Sequence, residues 1–198
     1  MSRLIESIKL SGGQFHNLLY HQARMNQSWR TLYGIEDNFN LEEFLMTTAF
    51  SKEGLYKCRL LYDDKSKEIE FSRYQIKSIQ HLRIVEDDRV RYEFKFEDRT
   101  SIQRLFNLRN GCDDILIVKN GYVTDSSYAN IVFRRGHKWF TPKSALLNGT
   151  MRAKLLSERI IEEREIRLSE IHSFESVKLI NAMLEFNGPE IPVSGIVI

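Results

Sequence analysis

The chain has 198 residues, of which 42% are hydrophobic and 11% aromatic, so it carries enough apolar surface for a core and is not a disordered chain. Its 29 basic and 27 acidic residues leave a net charge of +2, which provides no concentrated basic face for nucleic acid or anionic lipid. Cys58 and Cys112 are too few for a disulfide framework or a cysteine metal site. Because the sequence shows no signal peptide and no bilayer-spanning apolar run, we predict a soluble, cytoplasmic protein that binds neither nucleic acid nor membrane.

The first half of the chain mixes strand and helix patterns. Alternating apolar residues predict a strand at Leu4–Leu10, followed by a glycine turn and a hairpin partner at Phe15–Leu19. From Tyr20 the apolar spacing becomes helical and predicts a helix that ends at Gly34. Asn40 with Glu43 matches a capping box and predicts a second helix at Leu41–Phe50. Three further strands are predicted at Leu55–Tyr62, Glu68–Tyr74 and Ile79–Val85.

The second half repeats this mixture. Thr100 with Gln103 predicts a capped helix that ends near Asn110-Gly111. Asn120-Gly121 predicts a tight hairpin turn, and a helix of about three turns is predicted from Thr150, with Met151, Leu155 and Ile160 on its inner face. Strands are predicted at Val90–Phe96, Ile115–Lys119, Tyr122–Thr124, Ile131–Arg134, Lys138–Phe140, Val177–Met183 and Ile191–Ile198. The prediction is an α+β chain of two lobes, residues 1–88 and 89–198.

Three segments of the second half carry residues suited to chemistry. Lys95 lies between two phenylalanines, although alternation on a strand would by itself turn such a lysine to solvent. Asp125 and Asn130 stand five residues apart between two strands rich in hydroxyl groups. The segment Leu146–Arg152 leads through a glycine into a helix N-terminus, where free N–H groups favour an anion. The histidines show no metal-ligand spacing, so we predict no metal site.

In this order the segments resemble the class IV aminotransferase family. The family pattern runs lysine-x-x-Asn, then G-x-V-[ST]-E-x-x-x-x-N-[IL]-F, then T-P, then L-L-x-G-[IVT]-[TM]-R, and it is similar to residues 92–185. A looser likeness covers Phe15–Gly34, where His21-x-x-Arg24-Met25-x-x-Ser28 resembles the family's first helix. The resemblance implies a two-lobed fold-type IV enzyme of the D-amino-acid aminotransferase type. Since family members begin earlier than Leu4, it also implies a shortened N-terminal lobe.

The resemblance further implies pyridoxal 5′-phosphate as the cofactor and assigns roles to residues of this chain. Lys95 takes the place of the lysine that forms the Schiff base. Arg24 takes the place of the phosphate-binding arginine, a task that suits a guanidinium. Asp125 falls where the family has a glutamate against the pyridine nitrogen, and is one methylene shorter. The remaining cofactor-binding residues are Asn130, the backbone of Thr150 and Met151, and the turn at Asn181-Ala182.

The resemblance leaves three activities open. A 4-amino-4-deoxychorismate lyase is preferred, because Lys95-x-x-Asp98-Arg99 and Leu179–Met183 resemble the lyase's own sequences at these two places. An aminotransferase on branched-chain or D-amino acids would use the same lysine. A cofactor-binding protein with little catalysis is the third possibility. In either enzyme Arg59 could bind the carboxylate of a small amino substrate, or it is a solvated strand residue. The family also implies a homodimer.

Overall fold

The structure, a computed structural model, describes residues 3–36 and 39–198. It divides into two compact units. The first holds the residues up to Ile76 together with Phe94–Asp98, and the second holds Lys77–Glu93 and Arg99–Ile198. The division into lobes 1–88 and 89–198 stays a prediction of domain organisation. No helix within the described residues combines the length and the apolarity needed to cross a bilayer.

The first unit is an antiparallel sheet covered by a long helix. Its elements are β1 (Leu4–Ser11), β2 (Gln14–Phe15), α1 (Leu18–Tyr33), α2 (Leu41–Met46), β3 (Leu55–Tyr62) and β4 (Lys67–Arg73). The strand order is β2-β1-β3-β4. Met25 and Trp29 of α1 share a core with Leu4 and Ile8 of β1, because residues two apart on a strand face the same side. This face of β1 therefore meets α1.

The ends of the two helices in this unit are set by residues close to them in sequence, and they can be compared with the predicted ends. Gly34 adopts a left-handed conformation with φ 69° and ends α1, as predicted. The Asn40 side chain accepts the N–H groups of Glu42 and Glu43, which confirms the cap. The second helix stops at Met46 rather than Phe50, because the hydroxyls of two successive threonines donate to carbonyls of its last turn. The hairpin partner predicted at Phe15–Leu19 is wrong beyond Phe15, since α1 already begins at Leu18.

The second unit contains the larger sheet. Its elements are β5 (Leu82–Glu86), α3 (Thr100–Phe106), β6 (Asp114–Lys119), β7 (Tyr122–Ser126), β8 (Asn130–Arg135), β9 (Lys138–Pro142), α4 (Thr150–Ser157), β10 (Glu162–Arg164), β11 (Ser176–Ile180), β12 (Glu190–Pro192) and β13 (Ile196–Val197). Within the described residues the path runs β10-β9-β8-β7-β6-β5-β13, and β11 pairs with β8 and β12. The core lies on this sheet, with β8 and β11 among its most buried strands.

Several predicted elements differ from the observed ones. The strand predicted at Val90–Phe96 is wrong: the chain turns after β5, where the Asp87 side chain accepts the Arg89 N–H. Thr100 does not cap α3, which begins after Arg99 without a side-chain cap bond and ends at Phe106. The inner face of α4 does not include Ile160, which is 43% exposed. Arg159 adopts a left-handed conformation with φ 57°, so the chain turns and Ile161 is buried instead.

Candidate active site

A fully buried glutamate links strand β1 to helix α1 in the first unit. Arg24 Nε donates to Glu6 Oε1 at 2.9 Å, and Arg24 Nη2 donates to Glu6 Oε2. His21 Nδ1 lies 2.5 Å from the same Oε2 atom. His21 and Arg24 are three residues apart, so they lie on one face of the helix. The predicted phosphate-binding arginine is thus held by a carboxylate from the neighbouring strand.

The charges of this cluster follow from its burial. Burial by itself would raise the pKa of Glu6, but the charge of Arg24 and the hydrogen bond with His21 lower it to about 2. Burial lowers the pKa of His21, although the contact with Glu6 opposes that shift, and the nearby charges of Arg24 and Lys95 lower it further. The cluster is therefore an ionised Glu6, a charged Arg24 and a neutral His21 that donates its Nδ1–H.

Lys95 is fixed by its backbone against the same strand. The Ile5 N–H donates to the Lys95 carbonyl at 2.9 Å, and Phe96 forms an isolated bridge with Leu4. Phe94 and Phe96 both pack against the core between the sheet and α1. The lysine predicted to carry the chemistry is half-buried and close enough for its charge to act on His21.

Arg59 belongs to a different face of the first sheet. The register pairs Glu6 with Leu60 and Ser7 with Arg59, so Arg59 and Glu6 point to opposite sides of the sheet. Its guanidinium lies 3.3 Å from Glu70 and 3.3 Å from Glu97. Its predicted contact with a substrate carboxylate would compete with these two acidic partners, and it stays a prediction.

In the second unit, Asp125 and Asn130 form one hydrogen-bonded pair. Asn130 Nδ2 donates to Asp125 Oδ1 at 2.8 Å and to the carbonyl of Leu147 at 2.8 Å. The other carboxylate oxygen of Asp125 accepts the N–H groups of Leu146 and Leu147 at 2.8 and 3.0 Å. Burial raises the pKa of Asp125 to about 6, because these donors and the nearby charge of Arg152 offset only part of the lost hydration. Asp125 therefore both shapes the 146–147 turn and holds a poorly compensated charge.

That turn leads directly into the N-terminus of α4. Gly149 precedes the helix, and the cap position offers no side-chain hydrogen bond to the first turn. A Cβ atom on Gly149 would lie 1.9 Å from Asn130 Oδ1, so only glycine allows this approach. Arg152, 5% exposed, donates to the Thr141 hydroxyl and to Glu163 and thereby ties α4 to the sheet. The N–H groups of Thr150 and Met151 lie in the first turn, where an anion is favoured.

The strand register brings the predicted residues of this unit to one end of the sheet. Asp125 pairs with Asn130, and Asn130 pairs with Ile180 on β11. Asn181 and Ala182 follow directly in a turn that the Asn181 side chain shapes, since its Oδ1 accepts the N–H of Met183 at 2.9 Å. Asp125, Asn130 and the 181–182 turn are therefore neighbours at this end of the sheet, and their contact with a cofactor stays a prediction.

Comparison with known proteins identifies relatives of this chain. The family described as Amino-transferase class IV matches residues 102–188. An uncharacterised protein of Haemophilus influenzae is 39% identical over 185 residues, 92% of this chain and 98% of that protein. The structure of a candidate 4-amino-4-deoxychorismate lyase from Haemophilus somnus 129PT is 35% identical, with a TM-score of 0.87, and the likeness covers 92% of this chain and 97% of that one.

The chain belongs to the class IV aminotransferase family. It is an enzyme of a family that uses pyridoxal phosphate, which confirms the predicted cofactor. The likeness to the Haemophilus somnus structure confirms the predicted α+β, fold-type IV class. A hypothetical aminotransferase from Mycobacterium tuberculosis, solved in a PLP-bound form, shares this fold with a TM-score of 0.74 at 14% identity, covering 96% of this chain and 80% of that one.

The residues of this class IV aminotransferase fit pyridoxal phosphate. A Cβ atom on Gly149 would lie 1.9 Å from Asn130 Oδ1, so the glycine leaves room for the Asn130 side chain that holds Asp125. His21 Nε2 is a buried nitrogen without a hydrogen-bond partner among the described residues. Within the first unit, Arg24 supplies donors suited to a phosphate. Within the second unit, the first turn of α4 does so by itself. Asp125 supplies a buried carboxylate suited to a protonated ring nitrogen.

The sequence interpretation missed Glu6 as part of this site. One signal was available, since Glu6 shares the strand parity of Leu4, Ile8 and Leu10, all of which are at most 1% exposed. A charged residue at a core position indicates a buried partner. The H-x-x-R spacing of His21 and Arg24 then offers that partner on one helix face.

Proposed function

We propose that the chain is a 4-amino-4-deoxychorismate lyase, which releases 4-aminobenzoate and pyruvate. The observation that carries the proposal is its 35% identity, across nearly the full length of both chains, with the candidate lyase of Haemophilus somnus. The aminotransferase of Mycobacterium tuberculosis shares only 14%. The order Lys95-x-x-Asp98-Arg99, which resembles the lyase sequence, supports the same choice.

Each predicted residue has a distinct task under this proposal. When bound, pyridoxal phosphate supplies the electron sink for the negative charge that develops on the substrate. Lys95 Nζ would be the nucleophile toward the cofactor and, once the substrate amine has displaced it, the base that takes the ring C–H proton. The C–O bond to the enolpyruvyl group would then break, so that the ring becomes aromatic and enolpyruvate leaves to become pyruvate. Arg24 binds the phosphate group. Asp125 keeps a proton on the ring nitrogen by pairing with it.

The other groups bind and orient. The N–H groups of Thr150 and Met151 hold phosphate oxygens at the positive end of α4. The Asn181-Ala182 turn offers further backbone contacts to the phosphate. Asn130 holds the Asp125 carboxylate in place, which its 2.8 Å hydrogen bond already does. Arg59 binds a substrate carboxylate.

The proposed lyase activity is tested by comparing two kinds of substrate in parallel reactions. Purified protein with pyridoxal phosphate receives 4-amino-4-deoxychorismate, and the products 4-aminobenzoate and pyruvate are measured by chromatography. Parallel reactions contain branched-chain or D-amino acids with 2-oxoglutarate. We expect equal amounts of 4-aminobenzoate and pyruvate. Glutamate formation without 4-aminobenzoate would identify an aminotransferase, and bound cofactor without either product would identify a binding protein.

Borohydride reduction tests the assignment of Lys95 independently of activity. Reduction should attach the pyridoxyl group to Lys95, and the Lys95→Ala protein should carry no label and lose most activity. Lys57→Arg is the matched control, because Lys57 lies on β3 of the same unit. A label on another lysine would contradict the assignment.

The assembly follows from the family. We expect a homodimer with an interface larger than the ~1,200–2,000 Å² of standard complexes. Light scattering measures the mass directly, and a fully active monomer at micromolar concentration would contradict the prediction.

A further inference from the structure

Glu6 is a charged residue in a position where an apolar one would pack. Its neighbours on the same face of β1, Leu4 and Ile8, are 0% exposed, and so is Glu6. Replacement of a buried ion pair by well-packed apolar residues is often neutral or stabilising. Stability alone therefore does not explain why this strand buries a carboxylate beneath α1.

The contacts of Glu6 fix the orientation of a guanidinium. Arg24 uses Nε and Nη2 against the two carboxylate oxygens, and this two-point contact sets the plane of the planar group. His21 donates to Oε2 from one helical turn earlier at 2.5 Å. The carboxylate is thus held from two positions of the same helix and cannot rotate without losing one of them.

We infer that Glu6 and His21 are positioning residues, which hold the Arg24 guanidinium in the orientation that binds the phosphate of the cofactor. This inference rests on the proposed role of Arg24. Electrostatics alone and positioning predict opposite changes in phosphate binding when Glu6 is removed. Glu6 adds a negative charge next to a phosphate-binding arginine, so simple electrostatics expects its removal to tighten phosphate binding. Positioning expects its removal to weaken that binding, because the guanidinium is no longer held.

The test compares two probes that differ only in the phosphate group. Pyridoxamine 5′-phosphate and pyridoxamine have no aldehyde, so neither forms a bond with Lys95. The dissociation constant of each is measured by fluorescence with the cofactor-free protein. The constant for pyridoxamine divided by the constant for pyridoxamine 5′-phosphate is the ratio that reports the phosphate contacts alone, and it falls when these contacts are lost. For Glu6→Gln we expect pyridoxamine 5′-phosphate to bind about 10-fold more weakly, which is ~1.4 kcal/mol, with pyridoxamine unchanged.

Matched variants separate positioning from a general loss of structure. His21→Asn keeps a donor near the Nδ1 position and should retain most of the ratio, whereas His21→Leu removes the donor and should lose it. Glu70→Gln removes a carboxylate from the exposed pair with Arg59 in the same unit and should leave the ratio unchanged. If Glu6→Gln does not fold, the two His21 variants decide the question.

The Arg24→Lys variant distinguishes the failure of this inference from the failure of the proposed function. If positioning holds, Glu6→Gln causes no further loss in the Arg24→Lys background, because the two changes remove one interaction. If Arg24→Lys lowers the ratio but Glu6→Gln does not lower it, or raises it, the inference is wrong and the phosphate role of Arg24 stands. If Arg24→Lys also leaves the ratio unchanged, Arg24 does not bind the phosphate and both proposals fail.

Discussion

Two buried carboxylates, one in each unit, meet opposite electrostatic surroundings. Glu6 contacts the guanidinium of Arg24 through both oxygens, and its pKa falls to about 2 although burial opposes this. Asp125 is bonded by the Asn130 amide and two backbone N–H groups, all of them neutral donors. Burial therefore dominates there and raises its pKa to about 6.

Glu6 already contacts a cationic partner, whereas the hydrogen-bond donors on Asp125 are all neutral. Neutral donors stabilise a buried charge less than a formal opposite charge does. A cationic group brought to Asp125 would gain the interaction that Glu6 already has with Arg24. The protonated ring nitrogen of pyridoxal phosphate is such a group, and under the proposed function Asp125 would pair with it. The charge of Arg152 also lowers the pKa of Asp125, but it does not cancel the effect of burial.

The largest expected effect comes from breaking the Glu6 pair. Arg24→Ala leaves an ionised glutamate buried beneath α1, and such a change costs ~3–5 kcal/mol. Arg59→Ala is the control, because the Arg59 side chain is 30% exposed and its acidic partners are more exposed still. We expect the control to lose at most ~1 kcal/mol. Urea unfolding of both cofactor-free variants at pH 7 measures the difference, and equal losses would contradict it.

The second prediction concerns the pH dependence of stability without cofactor. Asp125 has a folded pKa of about 6 against an unfolded value of ~3.9. Below both values the carboxyl group is protonated in both states and contributes nothing. As pH rises between them, the unfolded state loses the proton first, so the free energy of unfolding falls. The fall amounts to ~3 kcal/mol at ~1.36 kcal/mol for each pKa unit, and it is nearly complete at about pH 7.

Asp125→Asn isolates this effect from every other titrating group. The variant loses one acceptor for the backbone of the 146–147 turn, and that loss does not vary with pH. The difference in unfolding free energy between the native chain and Asp125→Asn should therefore shift by ~2 kcal/mol between pH 4 and pH 7, since part of the change already occurs below pH 4. A constant difference across this range would show that Asp125 is not protonated preferentially in the folded state.

The two carboxylates also differ in how far the sequence predicts them. Asp125 stands in a dense motif between two predicted strands, and its neighbours Asn130 and the 146–149 segment were all identified from the sequence. Glu6 stands alone in a strand whose alternation was recognised, but its partners lie on a helix more than ten residues away. Contacts between distant segments depend on packing, which local patterns do not contain.

The same reason accounts for the elements that were predicted well and badly. The limits of β3 at Leu55–Tyr62 were predicted without error, and the hairpin turn is confirmed by positive φ angles of 52° at Asn120 and 76° at Gly121. These signals lie within the segment itself. The segment Val90–Phe96 has strand-like residues, but among residues 3–36 and 39–198 its backbone pairs with a strand only where its last residues meet β1. A strand needs a neighbour, and alternation alone does not supply one.

The third prediction tests whether Asp125 serves the reaction as well as the turn. If Asp125 pairs with the ring nitrogen as proposed, Asp125→Asn removes the charge that holds the proton there, an interaction that matters most in the transition state. A charge-assisted hydrogen bond is worth ~1.5–3 kcal/mol, so we expect kcat to fall ~10–100-fold with KM nearly constant. Asp125→Glu restores the carboxylate and should retain activity. If kcat and KM of Asp125→Asn equal those of the native chain, the role of this residue is confined to shaping the turn.

The smallest effect is expected at Gly149, which allows Asn130 to hold Asp125. Its φ of −69° and ψ of 143° are open to any residue, so Gly149→Ala carries no backbone strain and would by itself add ~0.4–1 kcal/mol of stability. The new methyl group would nevertheless lie 1.9 Å from Asn130 Oδ1. Asn130 must then move away, and it gives up bonds to Asp125 and Leu147.

Two hydrogen bonds at ~0.5–1.5 kcal/mol each outweigh that backbone gain, so Gly149→Ala should lower the unfolding free energy by ~1 kcal/mol. The Asn130→Ala background reverses the sign. With no side-chain oxygen to meet the methyl group, Gly149→Ala should there be neutral or stabilising. Urea unfolding of the four proteins gives this double-mutant cycle. An equal loss in both backgrounds would show that the methyl group disturbs the backbone of the turn itself, and that the Asn130 contact does not set the requirement for glycine.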